Sequence, residues 1–189
     1  MRYWKAFSIM ALGFLLGLIA GLLIPPSLTQ LILDYMRDVL RRSGLNISLS
    51  PLLLMMLIFT NNLRVSLLII VSGILIAGPL IILFINGAVV SAAYLYASSK
   101  TSPITAFLAI FPHGVVEIPA IINIAAASTI FWLNLWRKIM NKADIDISGE
   151  VITLLKQLAL TAALLFVAAI IEAFVTPVIA NIPIYNGLP

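Results

Sequence analysis

The chain has 189 residues, 62% of them hydrophobic and only 10% charged, with a net charge of +4. One soluble core of this size cannot hide so much apolar side chain, so lipid must serve as part of the solvent. The absence of cysteine excludes disulfides, thiolate metal sites and cysteine nucleophiles, and positive charge confined to short polar stretches suits anionic lipid headgroups rather than nucleic acid.

Backbone N–H and C=O groups in hydrocarbon must be satisfied internally, and the long apolar runs lack the alternating pattern of barrel strands. The expected fold is therefore all-α: a polytopic transmembrane helical bundle of about five spans in one integral membrane domain, residues 1–189. The first span, about 4–24, follows Arg2 and Lys5 and stops at Pro25-Pro26, which cannot continue a helix. It is longer than a signal-peptide core and has no clean small-x-small cleavage site, so it reads as a span and not as a leader. Gly13, Gly17 and Gly21 fall four apart on one face, a small-xxx-small pattern that marks a helix-packing face within or between chains.

Residues 27–44 alternate Leu28, Leu31, Ile32, Tyr35, Met36, Val39 and Leu40 with Gln30, Asp34, Arg37, Asp38, Arg41 and Arg42 at helical spacing. This predicts an amphipathic helix lying flat in the interface, capped by Ser27 and stopped by Gly44. Spans two (51–76) and three (79–97) form a hairpin that reverses at Gly73, Gly78 and Pro79. The fourth apolar segment, 103–136, is too long for one straight crossing at about 1.5 Å per residue and contains Pro112 and Pro119, which predicts a broken or kinked helix. After a polar linker, Ser148 is the expected N-cap of a last span, 151–176, that ends at Pro177. The distribution of Lys and Arg favours a cytoplasmic N-terminus only weakly.

Several polar groups lie too deep for loops: Asn61, Asn62 and Arg64 in span two, Asn86 in span three, His113, Glu117 and Asn123 in segment four, and Glu172 in span five. Charges at membrane depth cost a few kcal/mol, about 3 on insertion scales, and so need a partner or a watery cavity. His113 and Glu117 are four apart and share a helix face. Lys156 is on nearly the opposite side of its own helix from Glu172, which leaves Arg64 as the favoured counter-charge. With Arg64, both carboxylates and a neutral imidazole, the ionised sum is minus one, which a proton or a cation resolves. The same network, with the asparagines, also serves simply to fix helix packing. One His and two Glu can form a three-ligand metal site, so His113, Glu117 and Glu172 are metal candidates. With a single histidine HExxH chemistry is impossible, and no cofactor is predicted. Ser66 and Ser91 have no histidine at a telling distance, which argues against a serine hydrolase.

The segment Pro112-His113-Gly114-Val115-Val116-Glu117-Ile118-Pro119-Ala120 resembles the hallmark of the stage II sporulation protein M family. Phe59-Thr60-Asn61-Asn62, Asn86-Gly87 and Ile171-Glu172-Ala173-Phe174-Val175-Thr176-Pro177 resemble its other motifs, so the likeness covers roughly Leu52 to Pro177. What it implies is a multi-pass protein of the cell membrane. In spore formers such a protein is a membrane scaffold within a complex that remodels peptidoglycan, and hydrolysis belongs to its partners. The first expectation is thus a non-enzymatic scaffold or complex component that contacts the lipid bilayer and assembles as a homo-oligomer or with a membrane or cell-envelope protein. A small proton- or ion-linked transporter and an intramembrane metalloenzyme are the alternatives.

Overall fold

The computed structural model describes residues 2–25, 50–142 and 144–180, and the expected interfacial helix at 27–44 lies outside these. Five long helices follow in order: α1 (Tyr3–Leu22), α2 (Pro51–Ser72), α3 (Gly78–Lys100), α4 (Pro103–Ile139) and α5 (Ile147–Ile170). A π-helical turn, Ile171–Val175, joins α5 to the short α6 (Thr176–Ile179), and no strand occurs among the described residues. All five long helices are long and apolar enough to cross a membrane.

Helix starts follow local chemistry. Ser50 and Ser102 cap α2 and α4 by accepting from the N–H groups of Leu53 (3.3 Å) and Thr105 (3.1 Å), each with a proline in the first turn, where its missing N–H costs nothing. The expected cap of the last span, Ser148, is replaced by Asp146, whose carboxylate accepts from Ser148 N–H at 3.0 Å. An acidic side chain at a helix N-terminus also meets the positive end of the helix dipole, so α5 begins four residues earlier than expected.

α4 is the central helix and packs against every other long helix. Residues 120–129 on it are all buried, and their run of Ala125-Ala126-Ala127-Ser128 lets neighbours approach closely. The core includes Met10 and Phe14 from α1, Ile69 from α2, Leu83 from α3, Ile124 from α4 and Leu165 from α5. Outside it, Leu12, Leu15, Leu68, Ile81 and Leu155 are each more than half exposed, as suits side chains that face lipid. The expected break in the fourth segment is absent: Pro112 and Pro119 lie inside one continuous helix of 37 residues. Each removes a single backbone hydrogen bond, and packing on several sides holds the helix through the defect.

The glycine stripe of α1 is used inside the chain. A Cβ at Gly17 would overlap the carbonyl of Phe84, one at Gly21 the carbonyl of Ala88, and one at Gly87 of α3 the backbone of Phe14. The two backbones therefore touch, and Ser91 Oγ donates across them to Leu18 O at 2.7 Å. Of the two expectations for Gly13, Gly17 and Gly21, packing within the chain is the one realised, and a second copy cannot reach this face. At the far end of α2, the carbonyls of Ile69 and Ile70 also accept from α4: Ser128 Oγ donates to both at 3.2 Å and Trp132 Nε1 to Ile70 O at 2.7 Å.

Candidate functional site: an intramembrane polar pocket

Because successive spans alternate in direction, the starts of α2 and α4 and the end of the last helix lie at the same end of the bundle. Counted from that end, Asn62, His113, Glu117 and Glu172 lie about 10–20 Å deep. They line one cavity of about 620 Å³ together with Leu57, Ile58, Thr60, Asn61 and Arg64. α2 contributes the amides and Arg64, α4 the His113-Glu117 face, and the π turn Glu172.

The ionisable groups converge closely. His113 Nε2 is 3.7 Å from Glu172 Oε2, and His113, Glu117 and Glu172 each offer a ligand atom within 4.8 Å of the others. Asn62, buried in the helix interface, lines the same cavity as Glu117. His113 Nδ1 is buried without a hydrogen-bond partner, and at 3.7 Å the Nε2 contact is beyond hydrogen-bond length. The imidazole is thus held by packing, with Nδ1 buried and unpaired and Nε2 turned toward Glu172.

Arg64 departs from its expected role. It lines the cavity but is exposed, and among the described residues it forms no ion pair with either carboxylate. On α2, Thr60, Asn61 and Arg64 share the outer lip of the pocket, whereas Asn62, about 100° away on the helix, turns inward. Asn86 lies elsewhere: on α3, its amide donates to Ile82 O of its own helix at 2.9 Å. The neighbouring Gly87 carries the interhelical contact of that motif.

The π turn has no counterpart in the sequence, and neither do the partners of a second polar network, although its hub, Asn123, is expected there as interhelical glue. Thr176 N–H bonds the carbonyl of Ile171, five residues back. Pro177 has no N–H to offer the Ala173 carbonyl, so a widened turn just before it relieves the ladder. Pro177, expected to end the span, lies instead within continuing helix, and the proline itself is the signal for the π turn. In the second network, Tyr3 O–H donates to Asn123 Oδ1, whose amide donates to Gln157 Oε1 at 3.0 Å and Thr161 Oγ1 at 3.2 Å. Asn123 thereby ties α1, α4 and α5 together as interhelical glue.

Fold and site together define a polytopic α-helical membrane protein built around an intramembrane polar pocket. The sequence profile described as Stage II sporulation protein M matches residues 6–177, and the chain belongs to that family. Neither the curated proteins nor the solved structures include a match.

Proposed function

We propose that this protein is a non-enzymatic scaffold component of a complex in the cell membrane, and that the lip of the polar pocket is where a partner protein seats. The observation that carries this reading is Arg64, exposed and unpaired about 20 Å along a helix about 33 Å long. A guanidinium turned to lipid at that depth costs about 3 kcal/mol on insertion scales and more in isolation. Thr60 and Asn61 are exposed beside it, so the face offers hydrogen-bond donors and acceptors with nothing in the described chain to use them. A transmembrane segment of a partner, with a carboxylate or backbone carbonyls at that level, satisfies all three.

A small ion- or proton-linked transporter is the alternative, motivated by the two carboxylates in the cavity. It needs a route to the opposite end of the bundle, and the wholly buried stretch at 120–129 of α4 fills the interior along that direction. This supports the scaffold over the transporter.

Photo-crosslinking from position 61 or 64 in native membranes tests the reading, with lipid-facing positions 12 and 81 as controls. The expected result is a discrete protein adduct from the pocket lip and none from the controls. Lipid adducts alone at all four positions, or proton or cation flux in proteoliposomes of the isolated chain, would overturn it. A self-adduct would identify the partner as a second copy, docked through α2 and not through the glycine face.

A further inference from the structure

We infer that His113, Glu117 and Glu172 form a three-ligand site for a divalent first-row transition-metal ion of the zinc or manganese class, with an open coordination position facing the cavity. The first argument is distance. Metal–ligand bonds of about 2.0–2.2 Å place two ligands of one ion no more than about 4.4 Å apart. The 3.7 Å between His113 Nε2 and Glu172 Oε2 is inside that bound. The full set, within 4.8 Å, needs a few tenths of an ångström of closure, which carboxylate torsions supply without backbone movement.

Unsatisfied valence is the second argument. Three side chains bring ligand atoms to a common centre, yet no hydrogen bond joins His113 Nε2, the nitrogen that faces Glu172, to either carboxylate. Direct hydrogen bonding would have drawn the groups closer; a gap of this size between them has the dimensions of an ion. The third argument is charge. With Arg64 out of ion-pair reach, two carboxylates and a neutral imidazole sum to minus two when ionised, and a divalent cation brings the cluster to zero in a low-dielectric setting.

Donor chemistry selects the class. One imidazole nitrogen with two carboxylates suits zinc, manganese or ferrous iron, whereas magnesium and calcium prefer all-oxygen shells and cuprous ion prefers sulfur. Asn62, buried and lining the same cavity as Glu117, is placed as a positioning residue for its carboxylate, as outer partners of metal ligands commonly are.

The test uses the intact chain purified in detergent, stripped with chelator and dialysed against zinc chloride or manganese chloride, with metal content and binding isotherms as readouts. One ion per chain is expected. Glu117→Gln and Glu172→Gln, close in shape to the native residues, should weaken binding at least about 100-fold, and Asn62→Ala about 10-fold, in the range seen for outer-shell changes. Cobalt(II) bound to the unaltered chain should show the intense visible absorption of a four- or five-coordinate site. Absence of a stoichiometric ion, a weak six-coordinate cobalt spectrum, or well-folded glutamine variants that bind as the wild type does would each overturn the proposal. Because no partner is present, the outcome is independent of the crosslinking experiment.

Discussion

Replacing Gly17 by alanine asks whether α1 and α3 meet as closely as described. The added methyl would stand 2.8 Å from the Phe84 carbonyl carbon and 2.9 Å from its Cα. Carbon atoms pack at about 3.5–4.0 Å, so the helices must separate by roughly 1 Å. No rotamer change can relieve the clash, because the obstructing atoms are backbone. Overpacking of this kind costs about 1–3 kcal/mol, set against a gain of up to about 1 kcal/mol from replacing a helical glycine. The expected net loss is therefore about 1–2 kcal/mol, and more for Gly17→Leu. Gly13→Ala is the internal control: its methyl would meet only the end of the Leu80 side chain, which can rotate away, so it should be near neutral. Unfolding in mixed detergent micelles, followed by tryptophan fluorescence and helicity, measures both. Equal stability of Gly17→Ala and Gly13→Ala, with a change in oligomeric state for Gly17→Ala, would refute the packing described and return the stripe to an interface between chains.

Two further substitutions probe the polar groups. Asn123→Ala removes the residue that joins Tyr3, Gln157 and Thr161. It should destabilise the fold by about 1–3 kcal/mol in the same micelle assay, through lost interhelical bonds and polar atoms left unsatisfied. Asn86→Ala should change stability by less than about 0.5 kcal/mol and leave metal binding intact, since the amide bonds only its own helix; a loss as large as that of Asn123→Ala would mean that Asn86 reaches another helix.

What could be read from the chain divides along a physical line. That His113 and Glu117 share one face of α4 was legible because a four-residue step within one helix is set by backbone geometry alone. The number of long helices was legible for a similar reason, since hydrocarbon leaves a buried apolar backbone few options. The neighbours of that pair depend on how separate helices rotate against each other, which no local spacing encodes. Arg64 was accordingly assigned to the carboxylates as the available opposite charge, whereas the rotation of α2 turns Asn62 inward and Arg64 outward. The glycine stripe announced a close contact but not its partner, because a missing Cβ favours any approaching backbone equally. Pro112 and Pro119 looked like breaks when judged by propensity, and it is the packing of α4 on its neighbours that carries the helix through them.

The length of α4 bears on how the protein meets the membrane. Its 37 residues extend for about 55 Å, against a hydrocarbon thickness of about 30 Å. Even at a tilt of 40°, the upper end of what membrane helices show, about ten residues stay outside the hydrocarbon. With the polar pocket near its first half, the surplus falls at the other end, where Trp132 and Trp136 suit the headgroup zone and Arg137 and Lys138 the water beyond. There Asn134 Nδ2 donates to Glu150 Oε1 at 2.9 Å and braces α4 against the start of α5. That bond ties the far end of α4 to the start of α5, so the part of α4 longer than a hydrocarbon layer does not stand alone.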